Sequence, residues 1–210
     1  MRRDILTSPD SGGARALSLF VFDVGGVLYK GTSVIPEIAD YLKVSRERFL
    51  EMAVRSGVMD LQAGRITEKE FCARLSSSSG FSLREEIWTR FFNPEPVEEN
   101  MELLKELVAE YTVVAGTNTI ESHFLFHLNR GDYRLFHRVY ASHIIGIAKP
   151  NTRFFEYILR KERAEPEQTF FVDDTPKNVQ SATSCGIQAL HYTNPAELKN
   201  AINRFLSTRT

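Results

Sequence analysis

Polar side chains stand where the apolar runs of this chain end, and their types suit one kind of chemistry. Asp23 follows Leu19-Phe20-Val21-Phe22 and precedes Val24-Gly25-Gly26. Thr117 and Asn118 come just after Tyr111-Thr112-Val113-Val114-Ala115, Lys149 precedes Pro150, and Asp173-Asp174 follow Thr169-Phe170-Phe171-Val172. Three carboxylates, a hydroxyl and an ammonium in one crevice suit a hydrated divalent cation with a phosphate dianion, and do not suit a purely apolar ligand. Gly25 and Gly26 let backbone approach such a ligand closely. Each group also has a plainer reading: Thr117-Asn118 as turn formers capping a helix, Asp173-Asp174 as a charged helix start, Lys149 as a surface lysine. The chemical reading rests on their common placement at or just beyond strand ends, the edge where open α/β sheets bind ligands.

Strands must run parallel to bring those ends together, and the pattern provides for it. Buried strands are expected at 19–22, 111–115, 138–142, 169–172 and 187–192, separated by helices, which demands parallel pairing and right-handed crossovers. The helix from Val97 to Ala109 carries Val97, Met101, Leu104 and Val108 at spacings of three and four. Gly131 and Gly186 stop later helices, and Pro176 and Asn194-Pro195 start two more. Between Leu28 and Tyr111 no strand is expected. Pro36 opens a helix, Ser45 caps one that places Phe49, Leu50 and Ala53 on one side, and Gly57 ends it. Thr67 with Glu70, and Ser82 with Glu85, have the spacing of reciprocal caps. The fold class is a three-layer α/β/α, Rossmann-like parallel sheet with an inserted helical cap. Residues 17–32 and 94–210 form the core, 33–93 the cap, and 1–16 a flexible arm.

With a formal net charge of -1 over 210 residues, there is no electrostatic footprint for nucleic acid or an anionic membrane. No apolar run is long enough for a membrane span or signal peptide. Two cysteines build no disulfide framework, so a cytoplasmic setting is the simplest expectation. Monomer and homodimer both stay open.

Phe22-Asp23-Val24-Gly25-Gly26-Val27-Leu28, Thr117-Asn118-Thr119, Gly146-Ile147-Ala148-Lys149-Pro150 and Phe171-Val172-Asp173-Asp174, with Asn178-Val179 and Gly186-Ile187, resemble the four ordered motifs of the haloacid dehalogenase superfamily. Gly64-Arg65-Ile66-Thr67 to Phe71 also resembles a cap segment of its small-cap, C1-type phosphatases. The resemblance implies a Mg²⁺-dependent phosphohydrolase acting on a small, sugar phosphate-like metabolite. Asp23 would attack phosphorus to form an aspartyl-phosphate. Thr117, with Asn118 and the Gly26 backbone, would bind the phosphoryl group, and Lys149 would neutralise charge. Mg²⁺ would be held by Asp23, the Gly25 carbonyl, Asp173 and Asp174. Dehalogenation at carbon needs no divalent cation, so the paired aspartates argue for phosphate.

One position departs from the pattern. Most phosphatases of the superfamily carry a second Asp two residues after the nucleophile, which protonates the leaving oxygen, and here that residue is Gly25. The loss implies either a bias toward aryl and acyl phosphates, whose leaving groups need little protonation, or a catalytically impaired phosphate-binding or regulatory protein. His123, near the start of the helix after Thr117-Asn118-Thr119, is a candidate substitute. Its plainer reading is a structural histidine donating to a nearby carbonyl. His123 and His127 stand four apart, as zinc ligands on a helix do, but no further partner lies close in sequence and the pair reads as incidental.

Overall fold

The structure is a computed structural model that describes residues 18–208. The arm expected over 1–16 lies outside the described residues. The first strand, β1 (Leu19–Phe22), is buried along its whole length because both faces are covered. Phe20 and Phe22 face one apolar cluster, and Leu19 and Val21 face another.

Beyond Asp23 the chain makes a single turn, with the Leu28 and Tyr29 N–H groups both donating to the Val24 carbonyl at 3.0 Å. It then enters the short strand β2 (Tyr29–Lys30). Helices α1 (Ile35–Leu42), α2 (Arg46–Ser56), α3 (Val58–Gln62), α4 (Glu68–Ser79) and α5 (Ile87–Arg90) follow before β3 (Glu95–Pro96) pairs antiparallel with β2. The two crossings into and out of the helical insert are thus tied together. These strands went unforeseen because two residues carry no readable alternation.

Local chemistry sets most ends of the insert's helices. Arg48 N–H donates to Ser45 Oγ at 3.1 Å, and Gly57 ends α2 in the left-handed region. Thr67 and Glu70 cap each other reciprocally at the start of α4. Two expectations are corrected. Ser82 and Glu85 form no capping box: α5 begins behind Glu86 without a side-chain cap, and the Leu83 N–H is drawn back to Ser76 Oγ of α4 at 3.0 Å. Leu50 is 50% exposed, and the inward face of α2 is Phe49, Met52, Ala53 and Ser56.

The chain continues through α6 (Glu98–Glu110), β4 (Thr112–Thr117), α7 (Glu121–Arg130), β5 (Arg138–Ala141) and α8 (Ser142–Ile145). It closes with α9 (Thr152–Glu162), β6 (Thr169–Asp173), α10 (Pro176–Ser184), β7 (Gln188–His191) and α11 (Pro195–Ser207). The five-stranded sheet has the order β5-β4-β1-β6-β7, parallel at each pairing. One face packs on Leu103, Leu104 and Leu107 of α6 and Leu198, Ile202 and Phe205 of α11. The other packs on Phe154, Phe155 and Ile158 of α9 and Ala182 of α10. The insert has its own cluster around Phe49, Phe71 and Trp88, which Ile120 joins from the core side. Strands β4 and β6 each run further than expected, so Thr117 and Asp173 are strand residues rather than loop residues. Among the described residues no helix is long and apolar enough to cross a membrane.

Candidate active site

Because β1 lies in the middle of the sheet, its end opens at the centre of the carboxyl edge. Asp23 is fixed there by main chain: its N–H donates to the Val172 carbonyl at 2.9 Å, and its Oδ1 accepts the Val24 N–H at 2.8 Å. Lys149 is only 1% exposed, so the plain reading of a surface lysine is excluded. Its ammonium group reaches the Gly116 carbonyl at 2.7 Å, Asp173 Oδ2 at 2.6 Å and Asp23 Oδ1 at 3.1 Å. A buried cation is tolerable only with such company. Asp173 accepts in addition the Thr175 N–H at 2.8 Å on Oδ1, and Asn178 Nδ2 stands 3.0 Å from both of its oxygens. The Asn118 side chain clamps the Lys149 main chain, accepting its N–H at 2.9 Å and donating to its carbonyl at 2.8 Å. It therefore positions the lysine.

Burial pushes the Asp23 carboxyl up to about 7, with Lys149 pulling it down and the Asp173 charge pushing it up. Burial works against the Lys149 charge, yet Asp23 and Asp173 outweigh it and hold the ammonium above the ordinary lysine range. Burial and then the charge of Asp173 raise Asp174. One oxygen from each of Asp23, Asp173 and Asp174 lies within 4.8 Å of the others. Crowded carboxylates with an all-oxygen donor set fit a hard divalent cation such as Mg²⁺. Gly26 makes the crowding possible: at φ +74, a Cβ there would stand 2.0 Å from Asp174 Oδ2. Asp174 has the freest carboxylate of the three, with a single side-chain bond, from Thr175 Oγ1 at 3.3 Å, among the described residues.

Above this floor lies a cavity of about 350 Å³, closed on the far side by the insert. Thr117 and Asn118 line it beside Asp23, and Val34, Ile35, Leu61, Trp88 and Phe92 supply an apolar wall. His123 belongs to that wall as well. Its Nε2–H donates to the Trp88 carbonyl at 3.0 Å, its ring stacks on Phe92 at 3.7 Å, and burial lowers its pKa to about 4. A neutral imidazole whose proton is already committed is poorly placed to protonate a leaving group, so the geometry favours the structural reading over the acid/base one. His127 turns to a different partner, with Nδ1–H donating to Asp132 Oδ2 at 2.7 Å. Among the described residues neither histidine belongs to a cluster that could hold a metal ion.

The insert is fastened to the core at the cavity rim. Ser142 Oγ donates to the Gln62 carbonyl at 2.6 Å and accepts the Thr119 N–H at 3.0 Å, while the Ser122 N–H donates to Glu68 Oε1 at 2.9 Å. Sequence reasoning missed Thr32, Gln62, Trp88 and Phe92 as cavity residues. Only the fold brings them there, and helical periodicity marks Trp88 and Phe92 simply as core.

Comparison with known proteins agrees with this architecture. The sesquiterpene phosphatase astK of Aspergillus oryzae is 26% identical over 179 residues, covering 82% of this chain and 88% of that protein. The D-ribitol-5-phosphate phosphatase of Bacteroides thetaiotaomicron is 21% identical, covering 90% and 98%. A haloacid dehalogenase family enzyme from Bacteroides thetaiotaomicron, solved with magnesium and inorganic phosphate, superposes with a TM-score of 0.69 at 23% identity, over 85% of this chain and 95% of that one. Residues 17–186 match the family described as haloacid dehalogenase-like hydrolase, and this chain belongs to it.

Proposed function

We propose that the chain is a Mg²⁺-dependent phosphatase that hydrolyses a small phosphomonoester through Asp23, with residues 33–93 acting as a small C1-type cap on a core of 17–32 and 94–210. The observation that carries this is Asp23 on the floor of the cavity, ion-paired with a buried lysine and crowded by two further carboxylates. Asp23 bonds to phosphorus as the ester oxygen departs, and water then cleaves the aspartyl-phosphate. Thr117, at the end of β4, donates its hydroxyl to a phosphoryl oxygen. Lys149 offsets negative charge on Asp23 and the transferring group, with Asn118 and Asp173 keeping it in place. Magnesium, held by Asp23, Asp174, the Gly25 carbonyl and the Asp173 side, would neutralise the phosphate so that a carboxylate can approach it. Phosphatase relatives and a neighbour holding magnesium with phosphate support the reading.

A sugar phosphate-like substrate has support from the relative named for ribitol 5-phosphate. The wall of Val34, Ile35, Leu61, Trp88 and Phe92 favours a second reading, an ester whose body is apolar, like that of the relative named for sesquiterpenes. Turnover of p-nitrophenyl phosphate with and without Mg²⁺, in wild type and Asp23→Asn, tests the chemistry. Metal-dependent release of phosphate that disappears in the variant is expected. Undiminished activity in the variant would end the nucleophile assignment, and tight phosphate binding without turnover would leave a binding protein instead. A panel of pentitol and prenyl monophosphates separates the two substrate readings.

A further inference from the structure

Gly25 leaves the chain without a side chain where the family's usual acid/base residue would start, and the structure shows what fills that direction. A Cβ placed on Gly25 would stand 2.7 Å from Thr32 Oγ1, 3.2 Å from Thr32 Cβ and 3.6 Å from Thr32 Cγ2. Thr32 lies on the segment joining β2 to α1, is half-buried, and lines the same cavity as Asp23 and Gly25. Its hydroxyl has no hydrogen-bond partner among the described residues. A polar group directed into a cavity without a partner is available to a ligand or a water. Gly25 and Thr32 are therefore complementary in space: a larger residue at one requires a smaller one at the other.

We propose that Thr32 is a positioning residue that holds the catalytic water against the leaving oxygen, taking over through that water the part a carboxylic acid at position 25 would play. The proposal rests on the phosphatase reading above. As Asp23 bonds to phosphorus, the phosphorus–ester oxygen bond breaks and its electron pair goes to the ester oxygen. That oxygen takes a proton from the water, whose own oxygen accepts the Thr32 hydroxyl proton as a hydrogen bond, making the water a better acid. The resulting hydroxide stays on Thr32 in the space the alcohol vacates. It adds to phosphorus while the Asp23–phosphorus bond breaks and returns its pair to the carboxylate. One water is consumed, and the products are the alcohol and inorganic phosphate. Because Thr32 sits on the strand-to-insert connection, the water is held only when the insert is seated.

The test compares kcat/KM over a series of alkyl and aryl phosphates, with Mg²⁺, for wild type, Thr32→Val, Thr32→Ser and the double variant Gly25→Asp/Thr32→Ala. Thr32→Val keeps the packing but not the hydroxyl, and alkyl esters should fall at least ~10-fold further than aryl esters, since general acid help is worth ~10²- to 10⁴-fold when complete. Thr32→Ser should stay within about 3-fold of wild type across the series, since it retains the donor. The double variant should regain alkyl turnover that Gly25→Asp alone, blocked by Thr32, does not. Equal losses on alkyl and aryl esters, or none, in folded Thr32→Val would overturn the assignment of Thr32 alone. A wild-type chain with no Mg²⁺-dependent ester hydrolysis at all would overturn the phosphatase reading and this one with it.

Discussion

The protons of Lys149 face three different oxygens, two of them carboxylate and one a carbonyl. In Lys149→Met, Asp23 and Asp173 would stay buried without their cation. Breaking a buried ion pair from one side costs about 3–5 kcal/mol, and the urea midpoint should fall accordingly. Added Mg²⁺ should restore part of the loss without restoring turnover. A midpoint unchanged from wild type would show that the lysine is not what neutralises the pair. His123 and His143 give a second prediction. Burial lowers both to about 4, below the ordinary histidine value, so the unfolded chain binds more protons than the folded one between pH 4 and 6.5. Their contribution is therefore present above pH 6.5 and lost as pH falls toward 4. Asp23, raised to about 7, works the other way, so the informative quantity is the difference between wild type and His123→Phe. That variant should flatten the pH dependence of stability by up to about 1 kcal/mol per pH unit between pH 5 and 6, read from urea midpoints. Identical slopes would place His123 in solvent. At this scale the sequence was readable in placement, since Asp23, Thr117 and Asp173 stand at strand ends. Thr32 could not be found that way, because its meaning depends on a contact with Gly25 across a turn.

Each element reads as well as its pattern is long. β1 is an unbroken apolar run and its burial follows from composition, whereas β2 and β3 exist through pairing with each other and carry no pattern of their own. In α6 the buried face is Asn100, Leu103, Leu104 and Leu107, rotated from the expected stripe, with Met101 and Val108 only partly buried. The polar Asn100 hid that face: its Nδ2 donates to the Val27 carbonyl at 2.7 Å, tying α6 to the turn after Asp23. The seating of the insert belongs to this scale too. Ser142, at the start of α8, joins the Gln62 carbonyl of α3 to the Thr119 N–H of the loop after β4. Ser142→Ala leaves two polar groups unpaired at that junction, a loss of about 1–3 kcal/mol. Hydrogen exchange should quicken in α3 and at Thr119 while β1 and β6 keep their protection, and KM should rise more than kcat falls. Uniform deprotection of the whole chain would instead mark Ser142 as a general stability residue with no special hold on the insert.

For the molecule as a whole, the parallel sheet and the insert were both legible, since alternating strands and helices demand parallel pairing and more than sixty residues without a strand must form a separate layer, whereas the strand order came only with the fold. The lining of the cavity was not legible, because it depends on how the insert is seated. The same arrangement has a thermodynamic consequence. Asp23, Asp173 and Asp174 crowd their charges in the folded chain only, so an ion that binds them favours the folded state by mass action. At a hundred times its dissociation constant such a ligand adds about 2.7 kcal/mol, which for a chain of this size raises Tm by several degrees, at ~2–4 °C per kcal/mol. Phosphate alone would meet those carboxylates and be repelled. With Mg²⁺ in place it meets a cation and the Lys149 ammonium, so each ion should strengthen binding of the other by the same factor. Calorimetric scans with Mg²⁺, inorganic phosphate and both should therefore show a joint shift larger than the sum of the separate ones. In Asp174→Ala, which removes a partly buried carboxylate from a residue that is exposed overall and outside the apolar core, the excess should vanish while the apo Tm stays within about 2 °C, as substitutions outside the core usually do. Strictly additive shifts would mean that cation and anion occupy separate places, and the cluster beside Asp23 would then have to be explained without phosphate.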